Sequence, residues 1–455
     1  MIENITENGK EIFSLFKKIR NRDFKGNSGL AIKNSVYQIA YSFVSKIGSL
    51  LFTIILARIL MPELFGLYNL VLSIIVIFAT FAELGIGMTI IKFISAEFEK
   101  KQGRLKSSLI YFSKLKAILI FISAVLLIIF ADYIANTFYQ KPIFLALLAG
   151  ALYIVFIQLT ALFQPLIYAS NNPVPILKRE IFFQIIRIIL VPLAVFFAIK
   201  CSLSDETTLM IIILALAITL FFASLVLFYD IKKIYFSKFR KEKDLPLPKK
   251  QKIKINKFIL ATSMVAISSV FFGNIDKIML GKFVAAQFVG YYSAAFNLIS
   301  AFIQISTFAS AVVLPIFSRL KNKKLEAGFR KTISINSFIA AIAFLITLIF
   351  SYFIILITYG SDYSPATNIL RILSFLLFVF PVAGIYQSYY IAQNRPNYVA
   401  KLLIVSTILN IILNYFLITY LLKFGDLAAV YGATSATIIS NFFYLAGLVM
   451  GKKKR

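Results

Sequence analysis

The 455-residue sequence contains no histidine and no tryptophan, and its one cysteine is Cys201. Without histidine, the chain cannot carry a Ser-His or Cys-His nucleophile pair, imidazole acid–base catalysis or a histidine-ligated metal site. A single cysteine excludes a disulfide within the chain. Acidic residues are scarce, with 19 Asp and Glu against 48 Lys and Arg. Because these absences exclude many classes of enzyme, we expect neither an enzyme nor a cofactor.

Apolar side chains are what the chain has in abundance. Hydrophobic residues make up 60% of it, charged residues only 15%, and the mean hydropathy is +0.86. The apolar residues form blocks of about 20 to 27 residues, each long enough to cross a hydrocarbon layer of roughly 30 Å as a helix. The pattern predicts an all-α polytopic membrane protein with twelve transmembrane helices, the first two at 35–60 and 67–94.

The net charge of +29 is distributed unevenly along the chain. If the N-terminus is cytoplasmic, cations in inner segments outnumber those in outer loops by about nine to one, which is a strong positive-inside bias. The bias predicts a multi-pass protein of the cell (plasma) membrane with both termini in the cytoplasm. Most of the positive charge is then a signal of membrane topology and an attraction to anionic lipids of the inner leaflet, and we expect no nucleic-acid partner.

An internal repeat is visible when the chain is aligned with itself. The alignment that places Arg58 on Lys282 also places Gly66 on Gly290 and Tyr68 on Tyr292. Shifted by one residue, it places Ala169–Pro173 on Ala392–Pro396. Because each copy holds six spans, an even number, the two copies would have the same orientation in the membrane, as in transporters with parallel repeats.

The repeat and the basic segments together predict the domain organisation. We expect a cytoplasmic amphipathic segment at 1–33, a first lobe at 34–230, a basic cytoplasmic linker at 231–257, a second lobe at 258–450 and a basic cytoplasmic tail at 451–455. Two like lobes facing one another would enclose a cavity suited to alternating access.

Three stretches resemble a known family. They are the turn Arg58-x-Leu60-x-Pro62-x-x-Phe65-Gly66-x-Tyr68, the pair Asp276-Lys277-x-x-Leu280-Gly281 and Gly290-Tyr291-Tyr292-Ser293, and the stretch Leu409-Asn410-x-x-Leu413-Asn414 leading to Gly425 and Gly432. In this order they resemble the oligosaccharide flippase (polysaccharide biosynthesis/export) family of the multidrug/oligosaccharidyl-lipid/polysaccharide exporter superfamily. The resemblance implies a flippase that moves a polyprenyl-(pyro)phosphate-linked oligosaccharide from the inner to the outer leaflet for assembly of a surface polysaccharide. Polysaccharide assembly enzymes are possible partners.

Charged residues inside the apolar blocks are the main site candidates, since each costs an estimated ~2.5 to 3.5 kcal/mol at the bilayer centre. A carrier pyrophosphate would attract Lys and Arg side chains that line a wet cavity. The headgroup candidates are Lys46, Arg58, Arg187, Lys277 and Arg371. Pairing with Glu83 or Asp276 is the structural alternative for each of them, and Arg58 lies near enough to the outer surface to extend its side chain into it.

Neutral and acidic residues supply the remaining candidates. Gln184 shares a helix face with Arg187, and Ser406, Asn410 and Asn414 recur every four residues. These four are candidates for glycan contact, with interhelical hydrogen bonding as the alternative. Glu83 and Asp276 are candidates for binding a coupling proton or sodium ion. No metal site is expected.

Two other functions remain open at this point. A cation-coupled multidrug exporter of the same superfamily should favour acidic residues in its cavity, because its cargoes are usually cations. A membrane glycosyltransferase or polymerase would need catalytic groups beside a roomy extramembrane site, and the outer loops predicted here are short. The surplus of Lys and Arg inside the apolar blocks favours an anionic cargo.

Overall fold

The computed structural model of the protein describes residues 26–100, 103–239, 245–319 and 322–453. These ranges contain α-helices and no strand, which confirms the all-α prediction. The helices are α1 Gly26–Glu83, α2 Ile86–Lys100, α3 Leu105–Asp132, α4 Phe144–Ala169, α5 Val174–Lys200, α6 Asp205–Phe239, α7 Lys249–Phe283, α8 Ala286–Arg319, α9 Asn322–Thr358, α10 Ala366–Leu373, α11 Leu376–Ala392, α12 Pro396–Leu421 and α13 Asp426–Lys453. Residues 1–25, most of the predicted amphipathic segment, lie outside the described part.

Ten stretches of the described residues are long and apolar enough to cross a membrane. The first, Val36–Phe98, has 63 residues, far more than the roughly 20 that one crossing needs. Large apolar side chains are exposed on α3 and α9, where Phe121 is 69% and Ile357 71% exposed. Such surfaces suit contact with lipid. The protein is therefore a multi-pass membrane protein, while the count of twelve spans stays a prediction.

Three interruptions divide apolar blocks into helical segments. Met61 has non-helical dihedrals (φ 58°, ψ 169°), because the proline at position 62 disfavours the helical conformation of the residue before it. Leu84 and Gly85 both have positive φ and separate α1 from α2, inside the predicted second span. Ser374 separates α10 from α11, and its hydroxyl donates a hydrogen bond of 2.5 Å to the carbonyl of Arg371.

The two ends of the helix bundle differ in their loops. We call the end that carries Met61, Lys141, Val284 and Tyr363 the hairpin face, and the opposite end the terminal face, where α1 begins and α13 ends. Burial lowers the pKa of Lys141 at the hairpin face, where its Nζ donates to the carbonyl of Val284 at 3.2 Å. On the terminal face, Nζ of Lys452 lies 2.5 Å from a carboxylate oxygen of Glu326.

The predicted lobes, here called the first half (34–230) and the second half (258–450), share one core near the hairpin face. The largest cluster of buried apolar side chains combines Phe65 and Leu70 of α1 with Leu280 and Val289 of the second half. Toward the terminal face the clusters separate: one contains described residues of the second half alone. Another combines the first half with the beginning of α7. The described halves are thus joined at the hairpin face and, toward the terminal face, through the beginning of α7.

Candidate functional site

A cationic cluster lies between α1 and α5 in the first half. Its members are Lys46, Arg179, Glu180, Gln184 and Arg187. Residues 180, 184 and 187 are spaced one helical turn apart and therefore share one face of α5. Nε2 of Gln184 donates to Oε1 of Glu180 at 2.7 Å and to the backbone oxygen of Ser45 on α1 at 3.2 Å. The amide of Gln184 therefore ties the two helices together beside the cations.

Arg187 is held in place by both polar and aromatic contacts. Its NH2 group donates to Oγ of Ser49 at 3.1 Å and to Oε1 of Gln184 at 2.6 Å. The guanidinium carbon lies 4.3 Å from the ring centroid of Phe52 and 4.9 Å from that of Phe183. Its Nε is buried and has no hydrogen-bond partner within the described ranges. The side chain is therefore positioned, with a donor left over for a further acceptor.

The cationic cluster carries more positive than negative charge. NH1 of Arg179 lies 2.7 Å from Oε2 of Glu180, and both side chains are buried. Glu180 is the one carboxylate of the cluster, and it also acts electrostatically on Lys46. The ammonium of Lys46 has no hydrogen-bond or ion-pair partner in the part of the chain that the structure describes. Such a surplus suits an anion that accepts several hydrogen bonds.

Two members of the cationic cluster were not identified from the sequence. Arg179 and Glu180 lie at the edge of an apolar block and were not among the predicted site residues. The structure buries both inside α5, which begins at Val174. The signal that could have found them is the turn-by-turn spacing of Glu180, Gln184 and Arg187 along one helix.

A second polar cluster surrounds Asp276 inside the second half. We call Asp276, Tyr292, Asn410, Asn414 and Thr437 the Asp276 cluster; they come from α7, α8, α12 and α13, and all are buried. Asn414 donates to one carboxylate oxygen at 2.7 Å, and Thr437 donates to the other at 2.6 Å. The hydroxyl of Tyr292 donates to that second oxygen as well. Four helices of the second half thus converge on one carboxylate.

The Asp276 cluster presents oxygen atoms that lack donors. The side-chain oxygens of Asn410 and Asn414 are buried without a hydrogen-bond partner among the described residues, as is the hydroxyl of the neighbouring Ser406. The described ranges contain no group of three or more His, Cys, Asp or Glu side chains arranged for a metal ion. One carboxylate among neutral oxygens suits a proton or a hard monovalent cation better than a transition metal.

Lys277 follows Asp276 in sequence and is also buried. Its Nζ lies 5.5 Å from the ring centroid of Phe296, and its electrostatic partner is the adjacent carboxylate. Among the sequence-predicted residues, the structure therefore brings together Asp276, Lys277, Asn410 and Asn414, with Ser406 nearby on α12. It brings Lys46, Gln184 and Arg187 together in the other half. The three candidates for glycan contact on α12 have no exposed surface.

Glu83 lies elsewhere, at the end of α1, and pairs with a lysine that the sequence analysis did not single out. Lys116 on α3 donates to Oε2 of Glu83 and, at 2.6 Å, to Oε1 of Gln158, and its side chain is 0% exposed. The other carboxylate oxygen accepts the backbone N–H of Gly87 at 2.9 Å. The charge of Glu83 is thus balanced locally, at the break between α1 and α2.

The last two headgroup candidates also lie apart from the cationic cluster. Nε of Arg58 donates to the carbonyl of Thr358 at 2.7 Å on the hairpin face. Arg371 is exposed, and it donates to Oγ of Ser351 at 2.9 Å and to Oδ1 of Asn368 at 3.1 Å. Neither arginine contacts Lys46 or Arg187 through a described hydrogen bond.

Comparison with known proteins assigns the chain to a family. The sequence profile of a family described as polysaccharide biosynthesis protein matches residues 31–321, more than half of the chain. The chain belongs to this family. It is 28% identical to the probable low-salt glycan biosynthesis flippase Agl15 of Haloferax volcanii over 179 residues, which are 38% of this chain and 36% of that protein. It is 25% identical to the uncharacterized membrane protein MJ1068 of Methanocaldococcus jannaschii over 400 residues, 83% of this chain and 75% of that protein.

The fold is shared with solved transporters. The lipid II flippase MurJ in an inward closed conformation has a TM-score of 0.69 at 18% identity, covering 90% of this chain and 87% of its own. An inward-facing multidrug resistance MATE family transporter of the MOP superfamily has a TM-score of 0.68 at 14% identity, covering 92% and 98%. These identities establish the fold alone. Family and fold together identify the chain as a multi-pass membrane protein of the polysaccharide biosynthesis family with the fold of these transporters.

Proposed function

We propose that this protein is a flippase that moves a polyprenyl-(pyro)phosphate-linked oligosaccharide from the inner to the outer leaflet by alternating access. The observation that carries the proposal is the cationic cluster, in which three cations share one carboxylate inside the first half. A phosphate or pyrophosphate offers several charged oxygens, which match the ammonium of Lys46, unpaired among the described residues, and the spare Nε donor of Arg187. The Haloferax relative, which is named a probable low-salt glycan biosynthesis flippase, supports the same cargo class.

The fold does not decide between this function and multidrug export, because MurJ and the MATE transporter match the chain equally well. Charge favours the flippase. A cavity for cationic drugs would need acidic side chains, and the first half places its surplus of positive charge on α1 and α5 instead. Gln184, which bridges Glu180 and Arg187, is suitably placed for a sugar hydroxyl next to the phosphate.

The membrane potential and an ion gradient across the membrane would supply the energy for transport. With the cell interior negative, each negative charge moved outward gains roughly 2.3 kcal/mol per 100 mV. We assign the Asp276 cluster to a coupling proton or sodium ion, since its carboxylate shares the cluster with the side-chain oxygens of Asn410 and Asn414, which are buried and accept no hydrogen bond from the described residues. Glu83 is a weaker candidate for that role, because Lys116 already balances its charge.

The positive-inside bias supports a location in the cell membrane with both termini in the cytoplasm. In that orientation the hairpin face lies outside, and the halves are joined there. The cationic cluster would then be reached from the cytoplasmic side, where the carrier-linked oligosaccharide is made. Anionic lipids at that side, and assembly enzymes of a surface polysaccharide, are the expected neighbours.

A reconstituted assay tests the proposal. Transbilayer movement of a polyprenyl-pyrophosphate glycan in proteoliposomes, scored by its accessibility to a glycosidase added outside, should fall by about tenfold or more for Arg187→Glu, since charged hydrogen bonds are replaced by repulsion. Lys423→Glu, which makes the same charge change in an exposed loop, is the matched control and should transport normally. Equal transport by both variants would contradict the headgroup assignment. Export of a cationic dye without movement of the glycan lipid would favour the multidrug function.

A further inference from the structure

The hairpin face is held by a cation that reaches from the first half to the second. Arg58, close to the Met61 break in α1, donates from Nε to the carbonyl of Thr358 at 2.7 Å and from NH2 to the carbonyl of Ile357. Thr358 is the last residue of α9. The last carbonyls of a helix have no partner inside that helix and carry the negative end of its dipole. Arg58 therefore caps the third long helix of the opposite half.

The same contact occurs in the reverse direction. Lys282, near the end of α7, donates from Nζ to the carbonyl of Phe138 in the first half, and its Nζ lies 4.8 Å from the Phe138 ring centroid. Phe138 lies in the last turn of the π-helical segment Tyr133–Tyr139 that continues α3. Arg58 and Lys282 are the two residues that the repeat aligns with each other. Each half thus caps the end of the corresponding helix in the other half.

Two tyrosines add a second reciprocal pair. The hydroxyl of Tyr363, which follows α9, donates to the carbonyl of Ala57 at 2.9 Å. The hydroxyl of Tyr139, at the end of the π-helical segment, donates to the carbonyl of Ile278 at 3.2 Å. Each tyrosine thus binds the backbone of the other half within one helical turn before the capping cation, one residue before Arg58 and four residues before Lys282.

Two glycines allow the backbones to approach closely enough for these contacts. A Cβ on Gly66 would lie 1.9 Å from the carbonyl oxygen of Ala286, and a Cβ on Gly290 would lie 2.0 Å from that of Pro62. The repeat aligns Gly66 with Gly290 and Pro62 with Ala286, so this contact is reciprocal as well. Because both obstacles are backbone atoms, no rotamer change can relieve either clash.

From this geometry we infer that Arg58 and Lys282 are paired latches that hold the hairpin face closed, each by capping the third long helix of the opposite half. They are positioning residues, and the inference moves Arg58 out of the headgroup site. Both contacts bridge the halves, so both must break when the halves separate at this face. The closed state gains two charge-assisted hydrogen-bond sites that the open state lacks. The inference rests on the proposed alternating access.

Thiol labelling of the full chain tests the latches without any substrate. In a Cys201→Ser background, Ser293→Cys supplies the reporter, because Ser293 is 0% exposed and lies on the face of α8 that carries Gly290. Membrane vesicles of both orientations are treated with an impermeant maleimide. Cys201 itself, exposed in the loop after α5, identifies in the parent chain which vesicles present the hairpin face. The variant Arg58→Ala/Lys282→Ala should label about tenfold faster from that face than the reporter chain alone.

The controls separate a latch from a merely structural or headgroup role. Lys423→Ala removes another cation of the hairpin face, whose Nζ lies 5.8 Å from the ring centroid of Tyr420 in its own half, and should leave the labelling rate unchanged. The exchange Arg58→Lys/Lys282→Arg should restore slow labelling, and the single alanine variants should give intermediate rates if the double variant does not fold. The latch inference would be contradicted if the double variant labelled at an unchanged rate, or if Lys423→Ala raised the labelling rate equally. Neither outcome would contradict the flippase proposal. Lost glycan transport with unchanged labelling would return Arg58 to the headgroup site.

Discussion

At the residue scale, the ion pair of Glu83 and Lys116 joins a fully buried ammonium to a carboxylate that is 28% exposed. Lys116 is 0% exposed, and its ammonium contacts only Glu83 and Gln158 among the described side chains. Removing Glu83 leaves the fully buried ammonium without a compensating charge, whereas removing Lys116 leaves a carboxylate that is partly exposed. We therefore expect Glu83→Gln to destabilise the protein by about 3 kcal/mol and Lys116→Met to destabilise it by less. Thermal unfolding in detergent measures the loss.

The matched control is Lys114→Met, which removes an exposed lysine on the same helix and should change the free energy of unfolding little. The double variant Glu83→Gln/Lys116→Met should be more stable than either single variant, because no unpaired charge remains. If the two single losses simply add in the double variant, the pair is not coupled and the structural account of Glu83 is wrong.

Site residues could be grouped from the sequence when all of them lie on one helix. Gln184 and Arg187 could be placed on one face because their spacing matches a helical turn. Lys116 was missed because its partner lies 33 positions away on another helix, and no spacing rule connects α1 to α3. Asn410 and Asn414 were correctly placed on one stripe, but only the packed structure shows that the stripe faces Asp276.

At the element scale, the close approach of α1 and α8 depends on a missing side chain. A methyl group on Gly66 would lie 1.9 Å from a backbone oxygen of α8, so the two helices would have to separate. We expect Gly66→Ala to increase hydrogen–deuterium exchange of the backbone amides at 57–66 and 284–290. Gly273→Ala is the control, because a Cβ there meets nothing within 4 Å and alanine favours the helix. Equal exchange in the two variants would mean that the hairpin face tolerates separation without Gly66.

Helices were easier to predict than their interruptions. Apolar blocks long enough to cross a membrane predicted the helical fold, and the proline at position 62 marks the break that the structure shows at Met61. The breaks at Leu84–Gly85 and Ser374 fall inside blocks that are apolar on both sides of the break, so the blocks do not show where the helix is interrupted. Prolines are an incomplete guide, since Pro165 and Pro192 lie inside helices that continue past them. Packing against neighbouring helices decides where such a chain bends.

At the scale of the whole molecule, the repeat carries different chemistry in its two copies. The alignment that places Arg58 on Lys282 also places Phe52 on Asp276, and the alignment shifted by one residue places Arg187 on Asn410. In the first half, Phe52 lies against the Arg187 guanidinium. In the second half, the corresponding positions hold a carboxylate and an amide in one buried cluster. One half is therefore suited to an anion and the other to a cation.

This asymmetry predicts that the ion dependence and the anion binding of transport can be separated by mutation. Asp276→Asn removes the one carboxylate of the Asp276 cluster and keeps its size. We expect the variant to lose the response of glycan-lipid transport to a sodium gradient at fixed pH, or to a pH gradient at fixed sodium, whichever drives the parent chain. Binding of the carrier pyrophosphate should be unchanged, because Lys46 and Arg187 lie in the other half.

Asp132→Asn is the control, since this exposed carboxylate accepts a hydrogen bond only from Asn136 of the same helical segment among the described residues. If Asp276→Asn kept the full response, the coupling ion would have to bind at another site. If the variant lost carrier binding, the ion site and the anion site would not be separate functions of the two halves.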